Sequence, residues 1–397
     1  MSWSARPELV HLTHRHLLTA VLALAVATAV GLFALWPSAS EVPSGDQGTP
    51  PVLVDATITT YAPYTELVEE ITGVSGQRAR MVLRLTSGDR AEEVVVLDTG
   101  LDGYPPFSAG DRVQLSLSTF GDGEEQWFIV DIVRGGSLWL LLAVFVGAVL
   151  AIGRWQGARS LLGLGLSLLL ITQFIVPAIL AGRPPFLVAL VGSAAVLLVS
   201  VYLAHGPSVM TSAAVVGTMA ALAITIVLGA LFVDLTSLTG FASEEAVTIS
   251  MTVVDLDLRG LVLAGLVIAA LGVLDDVTVT QASTVFALHR ANPDVTARHL
   301  ASQAMHVGRD HIASTVNTLV LAYVGASLGL LLVFSTGGLP LGDLLTSEIL
   351  AEEIVKTLVG SLGIIAAVPL TTLLAAAVAV GPDGPGAPDA DHVSHAH

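Results

Sequence analysis

The amino-acid sequence predicts a polytopic α-helical membrane protein of about eight spans, with one small extracytoplasmic β-domain inserted between spans 1 and 2. Hydrophobic residues make up 53% of the 397 residues and charged residues only 12%, whereas ordinary soluble domains carry about 25% charged residues. Eight apolar runs are long enough to cross a bilayer, which takes a helix of about 20 residues. Between the first two runs, hydrophobic and polar residues alternate as they do in short β-strands.

The composition also excludes several classes of function. The absence of cysteine excludes disulfides, thiolate metal sites and cysteine nucleophiles. A formal net charge of −17 argues against a nucleic-acid partner, because binding DNA or RNA requires a basic surface. The sequence contains no phosphate-cradling glycine loop, HExxH or GxSxG motif. We therefore expect no enzymatic activity and no cofactor.

The first apolar run is longer than the 7–15 residues that are typical of a cleavable signal peptide. We expect it to be retained as an anchor, although the small residues PSAS at 37–40 resemble a cleavage site. The eight predicted spans are 17–36, 137–153, 160–180, 185–204, 211–233, 260–284, 311–334 and 354–378.

The distribution of basic residues predicts the orientation. With the N-terminus inside, the cytoplasmic segments hold seven arginines, against three basic residues in the short outer loops, in agreement with the positive-inside rule. Eight spans then place both termini in the cytoplasm. The predicted segments are a cytoplasmic N-terminus (1–16), the anchor (17–36), a linker (37–50), the β-domain (51–136), a seven-span transmembrane domain (137–378) and a disordered cytoplasmic tail (379–397).

The extracytoplasmic segment contains five stretches rich in β-branched residues, which glycine and proline separate. Five short strands at this spacing predict a small β-barrel of OB-like type. Residues 37–136 contain sixteen acidic residues and only six arginines, which argues against oligonucleotide binding. We expect a rigid domain that serves assembly or contacts a protein partner.

Two adjacent acids, Asp275 and Asp276, interrupt the sixth span within LGVLDDVTVTQAS (271–283). A charged acid at a helix centre costs about 2.5–3.5 kcal/mol on insertion scales. One interpretation is that the helix ends at Leu274 and leaves both acids in cytoplasmic water. The other is a polar cavity, because the sequence continues without charge to His289 and places Asp276, Thr280, Ser283 and Ala287 on one helical face, with Thr278 and Gln281 on its flank.

The seventh span begins with polar turns in GRDHIASTVNTLVLAYVGASL. Asp310, Ser314 and Asn317 share one face of it, and a connection of about 22 residues makes it a neighbour of the sixth span. We expect Asp276, Thr280 and Asn317 to face each other, with Arg309 paired to one of the acids. Helix capping and interhelical hydrogen bonding are the alternative roles. The candidate ion, proton or substrate site comprises Asp275, Asp276, Thr280, Gln281, Arg309, Asp310 and Asn317.

Two other groups of polar residues are expected to have no specific binding function. Histidines at the two termini suggest a shared metal site, but a disordered tail is the expected state, and we predict no metal. The predicted outer loops carry nine acids, which are expected to form a solvated surface. The histidines are His11, His14, His16, His392, His395 and His397, and the acids are Asp234, Glu244, Glu245, Asp255, Asp257, Asp343, Glu348, Glu352 and Glu353.

The two motifs LGVLDDVTVTQAS and GRDHIASTVNTLVLAYVGASL, at this spacing, resemble the YibE/F family of bacterial membrane proteins. The resemblance extends over nearly the whole chain and is most specific in 271–327. It implies a multi-pass protein of the bacterial plasma membrane. Many relatives show one acid in the first motif, where this chain has two, so the resemblance leaves open which acid matters. The block 271–334 is also loosely similar to helices of SecF-like and other RND-superfamily proteins, which use ion gradients.

Three functions are compatible with these features. The first is an ion- or proton-coupled secondary transporter, because proton relays in membrane proteins consist of acidic residues within the spans. The second is a non-catalytic scaffold or receptor whose β-domain binds a protein partner. The third, an intramembrane aspartyl protease, is disfavoured because adjacent carboxylates on one helix point about 100° apart and cannot share a proton. The expected partners are the lipid bilayer, a cation or proton, and a protein at the β-domain.

Overall fold

The computed structural model describes residues 14–38, 40–42, 53–66, 76–100, 106–119, 125–253, 255–336 and 341–381. The chain divides into two compact units, one spanning 44–151 and the other comprising 1–43 with 152–397. Most of the predicted linker, the tail beyond Gly381 and four of the terminal histidines (His11, His392, His395 and His397) lie outside the described residues.

The first unit contains a curled, five-stranded antiparallel sheet that forms a half-barrel, as the alternating sequence predicts. The strand order is β3-β2-β1-β4-β5, so β1 is central and β3 and β5 form the two edges. A closed, OB-like barrel is not confirmed. The strands are β1 (Leu53–Glu66), β2 (Gly76–Leu85), β3 (Val94–Gly100), β4 (Arg112–Thr119) and β5 (Glu125–Ile132).

One face of this sheet holds its apolar core. Side chains alternate between the two faces of a strand, and in β3 Val95 and Leu97 are buried whereas Val94 and Val96 are exposed. Each fully buried side chain of this size contributes about 1.5–3 kcal/mol to folding. The other buried members of the core are Val54, Ala56, Ile58, Ala79, Met81, Leu83, Leu85, Phe107, Val113, Leu115 and Ile129.

Charged groups connect the strands on the exposed side of the sheet. The Tyr64 hydroxyl donates to Asp98 at 2.6 Å, and the Arg78 guanidinium lies 3.1 Å from the same carboxylate. The Tyr64 hydrogen bond, followed by Arg78, lowers the pKa of Asp98 below its ordinary value. Arg90, in the turn after β2, forms an ion pair with Glu125 on β5 at 2.7 Å, which links the two ends of the sheet.

The second unit is a helical bundle with the composition of a multi-pass membrane protein. Within the described residues, six helices are long and apolar enough to cross a membrane, or seven if α8 and α9, bent by 54°, form one span. The helices are α1 (His14–Leu35), α2 (Gly135–Leu170), a π-helix (Ile171–Ile175), α3 (Val176–Leu180), α4 (Pro185–His205), α5 (Val209–Leu235), α6 (Glu244–Thr252), α7 (Leu258–Ala291), α8 (Ala297–Ala326), α9 (Leu328–Thr336), α10 (Leu341–Leu345) and α11 (Glu348–Ala379).

The predicted number of eight spans is not confirmed, because the second and third predicted spans fall within one helical stretch. This stretch, Gly135–Leu180, has 46 residues, or about 69 Å at 1.5 Å per residue. A hydrocarbon core is only about 30 Å thick. Arg154 interrupts the helical conformation, with φ 49° and ψ −129°, and marks the place where two crossings would separate.

Helices α5, α7 and α11 pack against one another, with α5 antiparallel to the other two. Glycines allow the close approach, since Gly217 of α5 contacts Thr371 of α11 and Gly363 of α11 contacts Thr225 of α5. Small residues at such interfaces increase the van der Waals contact that holds membrane helices together. The antiparallel directions agree with the alternation of the predicted spans.

The N-terminal helix is packed into the same bundle. A Cβ added at Gly31 would lie 2.7 Å from Val191 of α4, and Leu17 is buried. The Trp36 ring stacks on Phe174 with the ring centroids 5.4 Å apart. These contacts suit a retained anchor, and retention of the first span stays a prediction.

Candidate functional site

The two adjacent acids lie near the middle of α7, which continues from Leu258 to Ala291. The interpretation in which this helix ends at Leu274 is therefore wrong. Successive residues of an α-helix are rotated by about 100°, and the two carboxylates consequently point in different directions. Asp275 is half-buried and Asp276 is exposed.

Asp275 faces the interior of the bundle. Of the residues at helical spacing from it, Leu271, Thr278 and Ala282 are buried, whereas Val279 is half-buried and Gly272 is exposed, so Asp275 lies at the edge of the buried face. Asp276 lies instead on the exposed face of α7, together with Gly272 and Ala287. The two carboxylates therefore point to different surroundings, although they remain close enough to interact electrostatically.

The surroundings of Asp275 are mainly apolar. Leu271 and Val279, one turn before and one turn after it, pack in a cluster with Leu197 and Val201 of α4, Val215 of α5 and other apolar side chains. Among the described residues, no ion pair involves the Asp275 carboxylate and no other side chain donates a hydrogen bond to it, whereas the backbone N–H groups of Asp275 and Asp276 do so. A charge in such a position is costly unless a proton or cation neutralises it.

A pair of hydroxyls lies one turn along α7 from this carboxylate. The Thr278 and Thr218 Oγ1 atoms are 2.5 Å apart, and both side chains are fully buried. Thr218 also donates to the Ala214 carbonyl at 2.9 Å, and Thr278 lies 3.1 Å from the main-chain carbonyl of Asp275. The hydroxyl pair therefore joins α5 to α7 directly beside the acid.

Gln281 joins three helices. It is buried, and its Nε2 donates to the Ala304 carbonyl of α8 at 3.0 Å and to Thr372 Oγ1 of α11 at 2.7 Å. Gly308 of α8 lies against the same junction, where an added Cβ would be 2.5 Å from Val368 and 3.1 Å from Gln281. Gln281 is thus primarily a structural residue at the contact of α7, α8 and α11.

The remaining predicted site residues are half-buried or exposed. Thr280 is half-buried, whereas Arg309, Asp310 and Asn317 are exposed. Asn317 lies nine residues after the buried Gly308, which is half a turn away from the face of α8 that packs on α11. The predicted ion pair between Arg309 and one of the acids is not formed among the described side chains. Among the described side chains, no hydrogen bond joins Asp276, Thr280 and Asn317 to one another, and the cluster of these three residues stays a prediction.

Two features of the helical bundle were not predicted from the sequence. His289 is buried, and neither ring nitrogen has a hydrogen-bond partner in the described part of the chain. It lies seven residues after Ala282, and its helical spacing from the buried face of α7 is the signal that identifies it. Among the described residues, no group of three or more histidines and acids is arranged to hold a metal ion.

The second feature is an ion-pair cluster at the start of α11. Lys356 Nζ lies 2.7 Å from Glu352 and 3.2 Å from Glu353, so these acids belong to the helix and not to a solvated loop as predicted. Glu348 accepts hydrogen bonds from the backbone of Thr239 and Gly240. The spacing of three and four residues is typical of ion pairs on one helix.

The junction at Gln281 makes a testable prediction. We expect Gly308→Ala to destabilise the bundle by about 1–3 kcal/mol, the usual effect of overpacking, because its new methyl group meets Val368 and Gln281. Thermal unfolding of the purified protein in detergent measures the effect. Gly325→Ala in the same helix is the matched control, since nothing lies within 4 Å of its Cβ position. Equal melting temperatures for the two variants would contradict the described packing.

The relationship of the chain to known proteins agrees with this helical architecture. The family described as YibE/F-like protein matches residues 141–381, which is more than half of the 397 residues. No curated protein and no solved structure matches the chain. The N-terminal helix and the β-domain lie outside the matched range, so the resemblance to the family is confirmed for the helical part. The chain belongs to the YibE/F-like protein family.

Proposed function

We propose that this protein is an ion- or proton-coupled secondary transporter in which Asp275 carries the coupling ion. The observation that supports this function is the half-buried Asp275 side chain on the inner face of α7, between Leu271 and Val279, which pack with apolar residues of α4 and α5. Ionisable residues that face the interior of a membrane bundle are commonly parts of ion pathways. Asp276, on the exposed face of the same helix, has no role in carrying the ion.

The proton is the coupling ion that we propose, because a single carboxyl group can take it up and release it. Hard cations such as Ca²⁺ instead take six to eight oxygen ligands. The Thr218 and Thr278 hydroxyls, one turn along α7 from Asp275, bond to each other and to main-chain carbonyls.

Charge movement after a pH jump tests this role without knowledge of the substrate. We expect the protein in proteoliposomes on a solid-supported membrane to give a transient current when the outer pH is lowered, because a proton enters the bundle. Asp275→Asn should abolish the current, since an amide does not take up the proton in this range. Asp276→Asn is the matched control, because it removes a neighbouring acid from the same helix, and it should retain the current.

Two results would overturn the proposal. One is a current that survives in Asp275→Asn, and the other is a current that is lost only in Asp276→Asn. The Asp275→Glu variant guards against a simple folding defect, because it keeps the carboxyl group and is expected to restore a current.

We further propose that the protein lies in the bacterial plasma membrane with both termini in the cytoplasm. The excess of arginines in the segments predicted to be cytoplasmic supports this orientation. The start of α8, with Arg298, and the end of α7, with His289, would then lie on the cytoplasmic side, with the β-domain outside.

A second candidate function, a receptor or scaffold whose β-domain binds a protein, is favoured by the edges of the sheet. Val94 and Val96 on β3 and Phe128 and Val130 on β5 are large apolar residues with 40–62% of their surface exposed. Exposed apolar edge strands are ready templates for pairing with another chain.

We expect a photo-crosslinking residue at position 96 to give one discrete adduct in intact cells if this edge binds a partner. The same residue at the exposed polar position Arg84 of β2, inside the sheet, is the control and should give none. The absence of any adduct at positions 96 and 128 would remove support for the receptor function.

A further inference from the structure

A groove of about 460 Å³ runs between α8 and α11, away from Asp275. It opens beside the first turn of α8 and continues to Met305, seven residues further, or about 10 Å along the helix. Most of its walls are alanines and other apolar side chains. Its lining residues are Ala297, Arg298, Ala301, Ser302, Met305, Thr372, Leu373, Ala376 and Ala377.

Arg298 is the charged residue that lines this groove, and Ser302 and Thr372 are its other polar lining residues. Arg298 is exposed, and no ion pair involves its guanidinium in the part of the chain that the structure describes. At the inner end, the Thr372 hydroxyl is already used, because it donates to the Val368 carbonyl at 2.6 Å and accepts from Gln281. The groove therefore offers one cation at its entrance and an apolar interior.

The mouth also lies at the end of the helical bundle. Arg298 is the second residue of α8, and the lining residue Ala377 is two residues from the end of α11 at Ala379. A ligand that fits must have an anionic group at the surface of the membrane and an apolar part that extends into it. A free inorganic anion would leave the apolar walls unused, and a zwitterionic lipid would supply less charge to Arg298.

We propose that this groove binds one anionic phospholipid, with an acyl chain between α8 and α11 and the phosphate on Arg298. The planar guanidinium matches the geometry of phosphate oxygens, and basic pockets between transmembrane helices bind anionic head groups. The part of the chain nearest the phosphate packs along the groove as far as Thr372, beside the junction that Gln281 makes between α7, α8 and α11, and the rest of the chain continues into the bilayer. This inference does not depend on the proposed transport function.

Native mass spectrometry of the full-length protein in detergent, titrated with phosphatidylglycerol or phosphatidylcholine, tests the assignment. We expect the first phosphatidylglycerol to bind about fivefold more tightly than phosphatidylcholine, the usual contribution of one arginine near an anionic head group. Arg298→Gln should remove this preference, and Arg298→Lys should retain most of it. Ser302→Phe, which fills the groove from an exposed position, should weaken the binding of both lipids.

Arg290→Gln is the matched control, because Arg290 is an exposed arginine in the last turn of α7 that does not line the groove. It should leave the preference unchanged. If Arg290→Gln and Arg298→Gln reduced the preference for phosphatidylglycerol equally, the preference would come from the general charge of the surface. That result would contradict a specific lipid site at Arg298. Unchanged binding in Ser302→Phe, with an unchanged melting temperature, would show that the groove does not hold the chain.

Discussion

The close packing of α5 against α7 and α11 is the constraint on which the rest of the helical bundle depends. Glycines opposite threonines bring these helices together, and the Thr218–Thr278 contact holds two of them at a fixed rotation. In lipid, neighbouring helices have to satisfy the polar groups of a span, because no water is present to do so. The rotation of α7 that satisfies Thr278 and Gln281 also decides the direction of every other residue on that helix.

That rotation places the two adjacent acids on different faces of α7. Because Thr278 and Gln281 point into the bundle, Asp275 turns inward with Leu271, whereas Asp276 points outward. The proposed function follows from the inward acid, since its apolar neighbours disfavour a permanent charge. The outward acid lies on a face whose neighbours are small residues such as Gly272 and Ala287.

Several parts of the fold could be predicted from the sequence because the signals are local. The β-branched run Val94 to Val96 indicates a strand, and the apolar length of α7 indicates a span. The partner of each helix face could not be predicted, because it depends on small residues in other helices. Gly308 and Ala304 direct α8 onto α11 and Gln281, which places Asn317 on the opposite face of α8. The choice between Asp275 and Asp276 likewise required the packing of α4 and α5.

Carbodiimide modification of the two acids, read by peptide mass spectrometry on one protein sample across pH, tests most directly whether Asp275 is the ion-carrying group. A hydrophobic carbodiimide attacks protonated carboxyls, and we expect the adduct at Asp275 to persist near neutral pH. A pH dependence identical to that of Asp276 would mean that the two acids share one environment. Adducts that form only at Asp276, or only at acidic pH on both residues, would contradict the assignment of Asp275 to ion coupling.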